Sequence, residues 1–147
     1  MKNKNKLIAE FMDLETPNGI DYEIDPTYIH FGKHTYSDRF TDKLVSLLGS
    51  RPRLESEEIT SWHEDLAYAV QEQLEHSVIR LIRWAIEETG ITSVSIGGGV
   101  GLNVKLNSKI FQINEVTDVY AEPLCSDSGA SVGSALAACY NDTNKKP

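Results

Sequence analysis

Residues 91–123 carry the pattern that most restricts the fold. ITSVSI (91–96) and VTDVYAEP (116–123) are β-branched runs, the second closed by Pro123. Between them GLNVKLNSKIFQ (101–112) repeats Leu102, Leu106 and Ile110 at helical spacing. A hairpin turn is enough to join antiparallel strands, whereas parallel strands need a crossover of a dozen residues or more, usually helical. Upstream, Leu66, Val70, Leu74, Val78, Leu81, Ile82 and Ala85 recur three and four apart. Ser61 and Glu64 fit a capping box before that stripe and Gly90 supplies the stop, so one helix about 40 Å long is expected at ~1.5 Å per residue. Downstream, SGASVGSALAACY (128–140) predicts a helix of small residues that can pack closely. Helix, strand, helix, strand, helix predicts an α/β fold, with parallel strands covered by helices and one long central helix.

The first third is less regular. Residues 1–18 are charged and end in the turn-like TPNG, which suggests a loose or helical arm. IDYEID (20–25) and TYIHF (27–31) read as short strands around Pro26. SDRFTDKLVSLLG (37–49) reads as a helix between an N-capping Ser37 and a terminal Gly49, and residues 50–58 as a loop. The expected organisation is an arm with short strands over 1–34, a main body over 35–141 and a polar tail over 142–147.

Composition removes several classes of function. A net charge of -8 over 147 residues argues against general nucleic-acid binding, which needs clustered Lys and Arg. No apolar run approaches the ~20 residues of a membrane helix, and the start lacks the apolar core of a secretory signal. Two cysteines, Cys125 and Cys139, do not make a disulfide framework, so reduced thiols in the cytoplasm are expected.

The glycines at 97, 98, 99 and 101 follow the first strand directly. Glycine costs backbone entropy, and it is favoured where something must approach the main chain closely. Loops after adjacent parallel strands share one sheet edge, where ligands of open α/β folds bind. Residues 97–101 open a helix, whose N–H groups suit an anion. Residues 124–129 bring the Asp127 carboxylate to the same edge, and the pair suggests a nucleotide with a metal ion. Two plainer readings stand beside this: the glycines can serve a tight turn and close packing, and Asp127 can cap the last helix. A dinucleotide fingerprint is unsupported, because Val104 stands where its third Gly belongs, and no Gly-Lys-Ser/Thr follows to make a phosphate loop of the Walker type. His30 and His34 have metal-like spacing but fall in the strand-rich entry, where the spacing does not align them. His63 and His76 read as structural, and Cys125 reads as a small residue filling a turn rather than a reactive thiolate.

Longer stretches carry a family resemblance. GGVGLNVKLN (Gly98, Gly99, Val100, Gly101, Leu102, Asn103, Asn107) precedes VYAEPLCSDSGASVGSAL (Pro123, Asp127, Gly129, Gly133). Upstream are Gly49 and Arg53, then His63, Asp65, Ala67 and Gln71. In this order and spacing they resemble the NodU/CmcH-type O-carbamoyltransferases over about residues 35–140. The resemblance implies the second half of an actin-like (ASKHA, ribonuclease H-like) ATPase domain. The implied reaction moves a carbamoyl group from carbamoyl phosphate, through an ATP-derived carbamoyladenylate, to a hydroxyl of a sugar or antibiotic. It places Gly98, Gly99, Val100 and Asn103 at the nucleotide and makes Asp127 a ligand of a divalent metal such as iron; it assigns no catalytic residue here. The implied partners are a first half carrying the metal-binding histidines and a YrdC-like domain that makes the adenylate. Alone, the chain is expected to be inert and to form a homodimer. Cys125-Ser126-Asp127-Ser128-Gly129 also resembles the tRNA threonylcarbamoyl transferases, although the Asn103/Asn107 spacing favours the O-carbamoyltransferases. A non-catalytic interaction half-domain is the remaining alternative.

Overall fold

The computed structural model describes residues 12–13, 23–30 and 39–143. The chain divides between Arg80 and Leu81 into two compact units.

In the first unit, β1 (Met12–Asp13) pairs antiparallel with β2 (Glu23–Ile24). The arm expected over 1–18 therefore contributes a strand, and its other residues lie outside those described. Pro26–Tyr28 forms a single 3-10 turn rather than a strand, capped by Asp25, whose carboxylate accepts the Thr27 N–H at 2.8 Å. Proline in the first turn presets the helical φ and needs no N–H partner. Among the described residues of TYIHF, Ile29, bridged antiparallel to Phe40, keeps the expected extended pairing.

Helix α1 (Asp42–Leu48) starts later than its sequence pattern suggests. Its N-cap is Thr41, whose hydroxyl accepts from the Leu44 N–H, and Ser37 lies outside the described residues. Gly49 ends the helix as expected, in the left-handed conformation at φ 67°. Lys43 on α1 donates to the Asp25 carboxylate at 2.7 Å and sits 4.0 Å from the centre of the Tyr28 ring, which ties α1 to the 3-10 turn.

Helix α2 (Ser61–Thr89) is the long helix of the sequence pattern. Its cap is one residue earlier than the S-x-x-E box. The Thr60 carbonyl accepts the Glu64 N–H at 3.2 Å, and His63 Nδ1 accepts the Thr60 backbone N–H at 3.0 Å. His63 thus does at the third helical position what Glu or Gln does in a capping box. Gly90 closes the helix at φ 69°, with its N–H on the Ile86 carbonyl at 2.8 Å. Of the apolar stripe, Leu66, Leu74, Val78 and Ile82 are half-buried, while Val70 and Leu81 are exposed.

The second unit holds β3 (Ser93–Ile96) and β4 (Asp118–Ala121), paired parallel with Val94 opposite Val119 and Ile96 opposite Ala121. Those four side chains share the half-buried face, and Ser93, Ser95, Asp118 and Tyr120 face outward. The connection includes α3 (Val104–Ile110), whose Leu106 and Ile110 are fully buried and form the local core with Ile113 and Cys125. Parallel strands with a helical crossover make this an α/β arrangement, as the spacing of the two β-branched runs requires. Helix α4 (Ser128–Thr143) follows β4, and none of its described residues is buried. No helix among the described residues is long and apolar enough to cross a membrane.

The loop between α1 and α2 is braced by charge. Arg51 and Arg53 both turn inward on it, Arg51 gripping the Glu57 carboxylate and Arg53 donating to the Leu54 carbonyl at 2.9 Å. The Arg51 guanidinium, with the Leu54 N–H, holds the Glu57 carboxyl down at about 2, against an ordinary 4.5. A depressed carboxyl contributes stability above its unfolded pKa and loses it as pH falls toward the folded one, so this brace weakens between about pH 4.5 and 2. The pair is solvent-exposed, so the effect is small and screened by salt. Carbon-detected titration should place the Glu57 midpoint near 2, and Arg51→Gln should return it toward 4.5. An unchanged midpoint in the variant would disprove the pairing.

Candidate functional site at the strand ends

Because β3 and β4 run parallel, the segments that leave them, 97–103 and 122–127, depart from the same sheet edge. Gly98 adopts φ 67° and ψ −167°, which lets the chain reverse into a 3-10 turn over Gly99–Leu102. The turn is held by the Gly101 N–H on the Gly98 carbonyl at 3.1 Å and the Asn103 N–H on the Val100 carbonyl at 3.0 Å. The helix expected over 101–112 thus begins as a 3-10 turn and becomes α-helical only at Val104. Asn103 marks the change: its side-chain oxygen accepts the Leu106 N–H at 3.0 Å and caps α3.

The four glycines have different reasons to be glycine. Gly98 needs its dihedral angle. Gly101 is buried, and a Cβ there would stand 2.4 Å from Cys125 Sγ. Gly97 and Gly99 have neither reason, for their φ is not positive and nothing lies within 4 Å of the place a Cβ would take. Close packing therefore explains Gly101 and not its neighbours. Gly98, Gly99 and Val100 are exposed, and their N–H groups make no hydrogen bond among the described residues. Consecutive unpaired N–H groups in a turn form a concavity suited to an anion.

Cys125 joins the second segment to the first. Only 5% exposed, it packs on Gly101, and its thiol donates to the Glu122 carbonyl at 2.7 Å. Glu122 also accepts the Leu124 N–H at 3.2 Å, and Ser128 donates to the Cys125 carbonyl at 2.9 Å. Ser126 takes φ 69°, a left-handed value that is uncommon for a side-chain-bearing residue. Gly129 is required where it stands, since a Cβ would lie 2.7 Å from the Leu124 carbonyl oxygen. This tight turn delivers Asp127 to the surface. Its carboxylate is exposed and takes no hydrogen bond among the described residues; only its carbonyl is used, by the Ala130 N–H at 3.1 Å. The side chain does not cap α4.

The described residues contain no cluster of three or more His, Cys, Asp or Glu able to hold a metal, so Asp127 by itself does not make a metal site. His30 is half-buried, and His34 lies outside the described residues, so that pair cannot be assembled here. His63 is the capping residue of α2 and His76 is solvent-facing. Sequence reading missed two contacts of this site. One is Gly101 against Cys125; the other is Asn107, whose amide donates to the Gly101 carbonyl at 2.8 Å.

A family profile described as Carbamoyltransferase N-terminus matches residues 2–136. The chain belongs to this family. It is 33% identical over 105 residues to nodulation protein NolNO of Sinorhizobium fredii, covering 71% of this chain and 15% of that protein. It is 34% identical over 77 residues to nodulation protein NolO of Bradyrhizobium diazoefficiens, covering 52% and 14%. A tRNA N6-adenosine threonylcarbamoyltransferase of Gloeothece citriformis is 27% identical over 120 residues, covering 79% and 35%. The chain therefore spans a minor part of the length of each of these relatives.

The geometry separates two kinds of glycine by their response to a methyl group. Gly101→Ala should destabilise the chain by about 1–3 kcal/mol through overpacking on Cys125. Cys125→Ala in the same chain should recover part of that loss, giving a non-zero coupling in a double-mutant cycle. Additive effects in thermal unfolding would contradict the contact.

Proposed function

We propose that this chain is the nucleotide-contacting portion of an O-carbamoyltransferase. In this reading it forms the second half of an actin-like domain, and the turn at Gly98, Gly99 and Val100 receives the phosphate side of ATP or of a carbamoyladenylate. The observation that carries the proposal is Gly97 and Gly99, where neither dihedral angle nor internal packing demands glycine. Open space over consecutive unpaired N–H groups supports close approach by a ligand. Family membership supports the chemical class, carbamoyl transfer; carbamoyl phosphate as the donor, a hydroxyl acceptor and a cytoplasmic setting complete the reading.

Each residue then has a part. The N–H groups at 98–100 bind and orient the anionic group; Asn103 holds the start of α3, and through it the turn, in place. Asp127, exposed and unpaired on the neighbouring segment, would supply one carboxylate oxygen to a divalent ion such as iron. Its remaining ligands, and the adenylate-forming YrdC-like activity, would come from other protein segments. The net charge of -8 weighs against tRNA as the acceptor bound by this portion, despite the likeness to the threonylcarbamoyl enzyme.

Gly99→Val tests the reading in the chain itself. Calorimetry with ATP and magnesium should show at least tenfold weaker binding, while the melting temperature moves by less than about 4 °C, the equivalent of ~1 kcal/mol or less. Unchanged binding with a collapsed melting temperature would favour a packing role. We further propose that α4 pairs in a homodimer when the chain is alone, since Val132, Leu136 and Tyr140 lie exposed at four-residue spacing along it. Light scattering over a concentration series should show a monomer–dimer equilibrium, and a strictly monomeric chain would contradict it.

A further inference from the structure

Asn107 is in an unusual position for an amide. Its Nδ2 donates to the Gly101 carbonyl at 2.8 Å, reaching from α3 back across the glycine turn. Its Oδ1 is fully buried and has no hydrogen-bond partner. A buried acceptor left unpaired costs stability, so the fold by itself does not call for an amide here. The bond it does make is well placed to matter. Gly101 is the buried end of the turn that begins at Gly98, and its other side rests on Cys125. With its carbonyl held by Asn107 and its Cα against the thiol, Gly101 cannot swing outward without breaking one contact or the other.

We propose that Asn107 is a positioning residue that holds the 98–101 turn in its binding shape for an anionic nucleotide. It acts through Gly101 and does not touch the ligand. The proposal rests on the nucleotide reading of the turn given above. Unpaired N–H groups converge on an anion only while the turn keeps its geometry, and this short turn has just two internal backbone bonds outside its own helical ladder, at 3.1 and 3.0 Å. The hydrogen bond from the Asn107 side chain anchors it to α3, where Leu106 and Ile110 are fully buried.

Asn107→Leu separates positioning from bulk stability. Leucine is of similar size and removes the clasp together with the orphaned acceptor, two changes whose effects on stability oppose each other. Asn107→Asp is a second variant; it keeps the shape but sets an oxygen against the Gly101 carbonyl. In the unliganded 147-residue chain, amide hydrogen exchange at Gly101 and Asn103 should accelerate at least tenfold in either folded variant, with β3 and β4 unchanged. For Asn107→Leu the melting temperature should stay within about 4 °C while affinity for ATP with magnesium falls at least tenfold. Unchanged exchange in both variants would overturn the clasp. Faster exchange with unchanged ATP affinity would overturn the positioning role. Absence of ATP binding by the unsubstituted chain would overturn the nucleotide reading and the role in affinity with it, while the exchange data would still decide whether the clasp exists.

Discussion

The contact between Gly101 and Cys125 is the constraint on which the candidate site depends. The parallel pairing of β3 and β4 brings two chain segments to one edge, but proximity alone would leave both free to vary. A buried thiol against a glycine Cα, with that thiol donating to the Glu122 carbonyl, fixes the spacing between them. The 3-10 turn on one side and the left-handed Ser126 on the other then present their unpaired groups, N–H on one segment and carboxylate on the next. Turn and carboxylate are built from different strands and joined by this contact and by the Glu122 N–H on the Ile96 carbonyl at 2.9 Å.

Periodicity made the architecture legible. The long helix, its glycine stop and the strand–helix–strand passage follow from apolar spacing and from the crossover that parallel strands need. The details that sequence misplaced are choices between local hydrogen bonds. Thr60 with His63 and Ser61 with Glu64 are overlapping capping candidates, and the structure takes the first. Thr41, not a residue further upstream, caps α1. Asn103, which family likeness puts at the nucleotide, also caps α3 through its side-chain oxygen, a second role that the motif does not reveal. In sequence the glycine run is one feature, whereas the structure divides it by need: dihedral at Gly98, packing at Gly101, open space at Gly97 and Gly99. That division depends on Cys125, a residue distant in sequence, and no local pattern encodes it.

Burial carries a second message. Among the described residues only Leu44, Ala69, Leu106, Ile110, Ile113 and Cys125 are buried apolar side chains, while Tyr68, Val70, Val104, Leu136 and others stand exposed. An antiparallel sheet can leave one face to water, but parallel strands are normally covered on both. Among the described residues, Ser93, Ser95, Asp118 and Tyr120 on the outer face are exposed and no residue of α4 is buried.

The proposed function requires an anionic nucleotide to meet the backbone at the end of β3. Amide chemical-shift mapping of the chain during titration with ATP and magnesium tests it most directly, because the N–H groups at issue are themselves the probes. Saturable shifts are expected at Gly98, Gly99 and Val100, with smaller ones at 125–129 and none in an apolar groove of about 490 Å³ in the first unit, lined by Leu44, Trp62 and Leu66. Shifts confined to that groove, or none at millimolar ATP, would contradict it.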